Sequence, residues 1–285
     1  MASRRPCLLE MKKLIKTIAR SLGFELRRYS AVASSGHGPE RESLEGSLEQ
    51  CRALGFQPAT VLDVGAAIGT FTRTCYEIFP QARYLLVEPL EEYLPSLRQV
   101  QADIPQATYT IAAAASGDGT LPLNVHEDLV GSSLYKEEEE GTNVNGAERK
   151  VPSVTLDRLV SDRRLPAPFL IKVDVQGAEL DVLRGGSIAL EGAEYVLLEV
   201  SLFQFFKDGP LFCEVVDFMQ SKGFVPYDMF GMQYRPLDRA LSQVDIVFVK
   251  ERGAFRQQHC YATREQREAQ NRQYRSYLQG LLSSK

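Results

Sequence analysis

Short apolar runs alternate with longer amphipathic stretches through the middle of the chain, and that alternation predicts a βα repeat. Val61–Val64, Tyr84–Glu88, Thr108–Ala114, Phe169–Asp174 and Tyr195–Val200 are near-continuous apolar runs of strand length. Such runs suit strands covered on both faces, as in a parallel sheet. Between them, helices are predicted over Phe71–Phe79, Glu91–Val100, Ala178–Leu190 and Leu211–Lys222, the last stopped by Gly223. Two further runs, Phe224–Met229 and Val244–Lys250, are joined by a segment without helical periodicity. A parallel crossover needs a longer connection, so this pair is expected to be an antiparallel hairpin. The pattern predicts an α/β fold: a doubly wound, mostly parallel seven-stranded sheet with an antiparallel C-terminal hairpin.

The flanks read differently. Residues 1–29 are expected to form a basic amphipathic helix, with Leu14, Ile15, Ile18, Leu22 and Leu26 set among Lys12, Lys13, Lys16, Arg20, Arg27 and Arg28. Either this helix packs on its own domain with a solvated basic face, or residues 12–28 make peripheral contact with an anionic membrane. Lys16 and Arg20 interrupt the apolar positions, so the segment lacks a signal-peptide core, and no apolar run approaches a bilayer span. Met11-Lys12-Lys13 reads as a beginning as naturally as Met1 does. Residues 30–44 are expected to be a linker, and 45–250 the main domain, opened by a short helix from Glu45 to Gly55. Within it, Gly117–Pro168 is an insert whose acidic run, Lys136–Gly141, is expected to be solvated. Residues 251–285 are expected to be a charged, helical surface tail.

Composition narrows the classes. Hydrophobic content of 44% and charged content of 25% are ordinary for a globular chain. A net charge of −4 offers no electrostatic case for nucleic acid. The five cysteines and three histidines are scattered and no Cys-x-x-Cys pair exists, so no structural zinc site is expected, while a divalent ion held by Asp174 and nearby carboxylates stays open. Free thiols fit a reducing cytoplasm, with attachment to the inner face of the membrane left to residues 12–28.

The chemistry gathers at strand ends. After the first strand, Gly65-Ala66-Ala67-Ile68-Gly69 makes a small-residue turn into a helix, where bare backbone can approach a nucleotide-like ligand. The dinucleotide pattern Gly-x-Gly-x-x-Gly is absent, and Asp63 before the turn would repel a phosphate but suit a cationic ligand. Asp63, Glu88, Asp174 and Glu199 all fall at C-terminal strand ends, the edge where open α/β sheets bind ligands. A carboxylate at Glu88 can accept both hydroxyl hydrogens of a ribose, or it can cap the next helix.

Taken in order, Asp63–Phe71, Glu88-Pro89, Gly131-Ser132-Ser133-Leu134, Thr155-Leu156-Asp157, Lys172–Gly186, Leu198-Glu199-Val200 and Val244–Val249 resemble the FkbM family of S-adenosylmethionine-dependent methyltransferases. The resemblance covers roughly residues 58–250 and implies the Rossmann-like class I methyltransferase fold. It further implies S-adenosylmethionine as donor and a hydroxyl on a glycan or small-molecule metabolite as acceptor. By position, Asp63, Gly65, Ala67 and Gly69 would line the methionine end of the donor and Glu88 would hold its ribose. Ala115, Ser116 and Asp118 would meet the adenine. Ala67 stands where many members carry asparagine. Asp174 is the expected catalytic residue, placed to orient or deprotonate an acceptor hydroxyl near the sulfonium. Lys172 is expected to neutralise Asp174, and Glu179 either caps its helix or meets the acceptor. His126 is expected to be a solvated loop residue or a base, and Ser132 and Ser133 to touch acceptor or donor. Phe203, Phe205 and Phe206 either stack on an acceptor or pack the sheet edge. Two other classes compete: a non-catalytic donor-binding or membrane-associated scaffold, and a nicotinamide dehydrogenase, which Asp63, the missing glycine and the hairpin disfavour.

Overall fold

A computed structural model describes residues 39–138 and 141–283. The expected N-terminal helix, its membrane contact through residues 12–28, the first part of the linker and Glu139-Glu140 lie outside these residues.

Seven strands form the main sheet. They are β1 (Thr60–Val64), β2 (Arg83–Glu88), β3 (Ala107–Ile111), β7 (Phe169–Val173), β8 (Ala193–Ser201), β9 (Phe224–Tyr234) and β10 (Leu241–Lys250). Their order is β3-β2-β1-β7-β8-β10-β9, with β10 antiparallel to both neighbours and the other pairs parallel. The α/β fold, the mostly parallel sheet and the terminal hairpin are as the pattern predicts.

Alternation along the strands sorts the core into two layers. Leu62, Ile171, Val173, Val196 and Leu198 face one side with Leu183, Val215 and Met219. Val61, Tyr84, Leu170, Tyr195 and Val247 face the other with Leu48, Cys75, Phe79 and Leu97. The covering helices are α1 (Leu44–Ala53), α2 (Thr70–Ile78), α3 (Leu94–Asp103), α5 (Leu156–Asp162), α6 (Glu179–Arg184), α7 (Ser187–Gly192) and α8 (Phe212–Ser221). Each large apolar side chain buried this way stabilises the fold by about 1.5–3 kcal/mol.

Three expectations change. The linker ends at Ser43, whose hydroxyl accepts from Gly46 N–H and caps α1. The run Thr108–Ala114 is not one strand: β3 stops at Ile111, and β4 (Ala113–Ala114) turns away into a second sheet with β6 (Ala147–Val154) and β5 (Gly119–Val125). The insert is therefore folded, and Leu123, Val125 and Val151 join Leu90 and Ala113 in a third apolar cluster. The predicted helix Ala178–Leu190 breaks into α6 and α7 at Gly185-Gly186, because the chain passes so close to Ala115 that a Cβ on Gly185 would overlap its carbonyl oxygen.

A single helical turn, α4 (Thr142–Asn145), precedes β6. In the tail, Phe255 stacks edge-on against Phe56 at 5.4 Å and near Tyr227 at 5.5 Å, so residues around it belong to the domain body. The rest is α9 (Arg264–Ser283), whose described side chains are exposed. No described helix is long and apolar enough to cross a membrane.

Candidate functional site

Strand order reverses between β1 and β7, and the loops leaving these two strands meet there, as ligand crevices in open α/β sheets do. Asp174 N–H donates to Val64 C=O at 3.1 Å, and Gly65 N–H to Val87 C=O at 2.9 Å. Gly65 has φ +72°, and a Cβ there would overlap the carbonyl oxygen of Asp174. Only glycine meets both demands. Ala67, also left-handed at φ +45°, turns its N–H to Glu88 Oε2 at 2.9 Å. The other oxygen of Glu88 accepts from Leu90 N–H at 3.0 Å. Burial raises the Glu88 pKa, while the N–H groups of Leu90 and Ala67 work in the opposite direction.

Gly65, Ala67, Glu88 and Asp174 border a cleft of about 730 Å³, part of it open to solvent. Its other walls are Ala113 and Ala114, Tyr93, and an apolar side from the insert made by Leu123, Leu129 and Leu134. A narrow, mostly apolar slot with one buried carboxylate at its edge fits a nucleoside. Each Glu88 oxygen accepts one backbone hydrogen and keeps a second lone pair free for a further donor.

Three residues expected to touch the donor are placed elsewhere. Asp63 lies fully buried beneath the turn, accepting from Thr72 Oγ1 at 2.7 Å, and does not line the cleft. Gly69 (φ +81°) starts α2, and its missing Cβ leaves room for Val100 Cγ2, 2.6 Å from where that atom would stand. Asp118 accepts from Thr155 N–H at 2.9 Å and pairs with Arg158 at 3.5 Å, so it ties the insert to the start of α5 and is not on the cleft wall. The insert's apolar wall escaped the sequence reading, although the alternation of Leu121, Leu123 and Val125 is its signal.

A second pocket shares Gly65, Ala67 and Asp174 with the first. Leu44, Phe71 and Phe230 are among its apolar walls, and Asp174, Glu199, Asp245 and Lys172 its polar ones. The sheet register sets Asp245 of β10 opposite Glu199 of β8. Gln176 donates to Asp174 Oδ1 and Glu199 Oε2, both at 3.1 Å. Gln233 and Gln243, from the terminal hairpin, donate to Glu199 at 2.7 and 2.8 Å. Burial, then Asp174 and Asp245, push the Glu199 pKa up to about 8. Burial, then Asp174, raise Asp245 to about 6.

Glu179 accepts from Val175 N–H at 3.2 Å and Gly177 N–H at 3.1 Å, so it caps the loop before α6. Burial raises its pKa to about 7 against those hydrogen bonds. Ser132 lines the cleft, while Ser133 Oγ donates to Gln176 C=O at 2.6 Å and fastens the insert to the β7 loop. His126 pairs with Asp128 at 2.8 Å and borders neither pocket. The phenylalanines border neither pocket as well: Arg235 stacks over Phe203 at 3.8 Å, and Phe206 is buried against Gly177. Among the described residues no group of three His, Cys, Asp or Glu side chains is arranged to hold a metal ion.

Residues 63–226 match the family described as the methyltransferase FkbM domain. The chain is 26% identical to the hexuronic acid methyltransferase AglP of Haloferax volcanii over 48% of its own length and 54% of that protein. It is 28% identical to the methyltransferase sdnD of Sordaria araneosa, covering 44% of this chain and 59% of that one. It thus spans between half and two thirds of each of these relatives. Among solved structures, an FkbM methyltransferase from Methylobacillus flagellatus aligns at 17% identity and a TM-score of 0.43, over 66% of this chain and 43% of that one.

Proposed function

Because this chain belongs to the methyltransferase FkbM family, we propose that it moves the methyl group of S-adenosylmethionine onto a hydroxyl oxygen of a small-molecule or glycan acceptor. The observation that carries the reading is the wall common to the two pockets, where Gly65, Ala67 and Asp174 border both. One pocket has the shape and the ribose-seeking carboxylate that a nucleoside donor needs. The other, likewise open to solvent, presents Asp174, Glu199, Asp245 and Lys172, which can hydrogen-bond an acceptor hydroxyl.

The sulfonium donor supplies an activated methyl carbon, so the protein needs to align an oxygen with it and receive one proton. The Gly65 turn lets the backbone close on the donor, and Glu88 holds the ribose. Asp174 stands on the shared wall, where its carboxylate orients the acceptor hydroxyl and takes its proton as the new C–O bond replaces the C–S bond. Asp174, Glu199 and Asp245 face the second pocket together, so a neutral hydroxyl group suits it better than a carboxylate. The free cysteines among the described residues suit the reducing, cytoplasmic setting proposed with this activity.

Isothermal titration with S-adenosylhomocysteine tests the donor half directly. Micromolar binding that Glu88→Ala abolishes is the expected result. Folded wild-type protein that takes up no S-adenosylhomocysteine would overturn it and leave a scaffold of methyltransferase fold.

A further inference from the structure

One buried ammonium group joins the two loops that border the donor cleft. Lys172 lies in β7, and the register sets it beside Asp63 of β1. It is 9% exposed, and its Nζ donates to Gly65 C=O at 2.7 Å. The same atom stands 3.4 Å from Asp174 Oδ2 and 3.6 Å from Asp63 Oδ1. The ammonium thus donates to the turn and forms ion pairs with one carboxylate on β1 and one on the β7 loop. Asp63 Oδ1 has no hydrogen bond of its own, so Lys172 is the positive charge beside that buried oxygen. Burial alone would lower the Lys172 pKa, but Asp174 and Asp63 outweigh it and the net direction is upward.

We infer that Lys172 is a positioning residue that fixes the Gly65 turn against Asp174 and thereby sets donor affinity without lining the donor cleft. The inference rests on the donor reading above. Neutralising Asp63 would need only the ion pair. The shortest contact is instead to the carbonyl of a left-handed glycine, and that peptide begins the turn that aims Ala67 N–H at Glu88. If the Gly65 carbonyl swings free, the Ala67–Glu88 bond and the contact between Gly65 and Asp174 both loosen. Lys172 therefore ties the donor side of the shared wall to the residue proposed to handle the acceptor.

Lys172→Met alone strands the buried Asp63 charge and threatens folding. The deciding protein is Asp63→Asn/Lys172→Met, which removes both charges and keeps a polar partner for Thr72. Two readouts are taken: titration with S-adenosylhomocysteine and amide hydrogen exchange across residues 64–69 and 174–177. The double variant is expected to melt cooperatively yet bind S-adenosylhomocysteine at least about tenfold more weakly, with exchange accelerated in those two segments. Asp63→Asn alone is expected to stay within a few-fold of wild type, because Lys172 still holds the carbonyl. Wild-type affinity and exchange in the double variant would overturn the inference and reduce Lys172 to a counter-ion. If wild-type protein itself binds no S-adenosylhomocysteine, the donor reading falls, and the exchange pattern still decides the role of Lys172.

Discussion

Glu88 holds two loops at once, through Ala67 N–H on one oxygen and Leu90 N–H on the other. Truncating it therefore does two things. Glu88→Ala leaves two inward-facing N–H groups without their acceptor, which costs about 1–3 kcal/mol for each that stays dry. It also removes the proposed ribose contact, so S-adenosylhomocysteine affinity should fall by about a hundredfold or more, read by titration, while a cooperative melt persists. Glu199 makes a different prediction. Its folded pKa lies near 8, and those of Glu179 and Asp245 near 7 and 6, all above the ordinary carboxylate range. A raised folded pKa means that the native state binds more protons than the unfolded chain. The stability these groups contribute is complete below the unfolded carboxylate range and is lost as pH rises through about 6 to 8. Melting temperature should therefore drop between about pH 5 and pH 8.5, and Glu199→Gln should flatten part of that drop. A wild-type melt that rises over the same interval would contradict the assignment. At this scale the sequence pattern marks Glu88 and Asp174 as strand-end acids, and both border the cleft. Asp63 could not be placed this way, because a charge at a strand end reads the same whether it faces a pocket or points into the sheet. Only its fully buried position beneath the turn separates the two.

At the scale of elements, the central strands were the easiest to read, since runs such as Leu170-Ile171 and Leu197-Leu198 have no polar face to confuse the period. The terminal hairpin was legible as topology but not as chemistry. Its two strands carry Gln233, Gln243 and Asp245 to Glu199, and nothing in their local pattern marks them for that task. Gly231 permits the arrangement: it sits at φ +63°, and a Cβ there would overlap the Asp245 carboxylate. Gly231→Ala should destabilise the protein by about 1–3 kcal/mol through backbone strain, measured by denaturant titration. The insert shows the opposite failure. Strand β5 contains Pro122, and β6 is largely polar on its outer face, so neither carries a strong strand signal by itself. Their pairing, and the apolar cluster of Leu123, Val125, Val151 and Leu90, supplies what the local sequence lacks.

Over the whole molecule, stability resides in the two layers of apolar side chains on either side of the main sheet, and α9 stands outside them. Removing residues 264–283 should leave both melting temperature and S-adenosylhomocysteine affinity at their wild-type values, because the described side chains of that helix are exposed. A clear fall in either would show that the tail supports the domain. The sequence by itself determined the α/β class, the succession of the main-sheet strands, the small-residue turn, and the acids at the strand ends. These follow from hydrophobic period and from the few residues that tolerate a tight turn, both of which are local properties. The tertiary structure alone decided which of those acids border a pocket. It placed Asp63 under the turn with Lys172, brought Asp174 to a wall between two pockets, and ringed Glu199 with amides from the β7 loop and the terminal hairpin. The physical reason is that burial and hydrogen bonding at a strand end depend on the neighbouring strand and on the loop that covers it. Those partners lie dozens of residues away in the chain and meet only when the sheet closes.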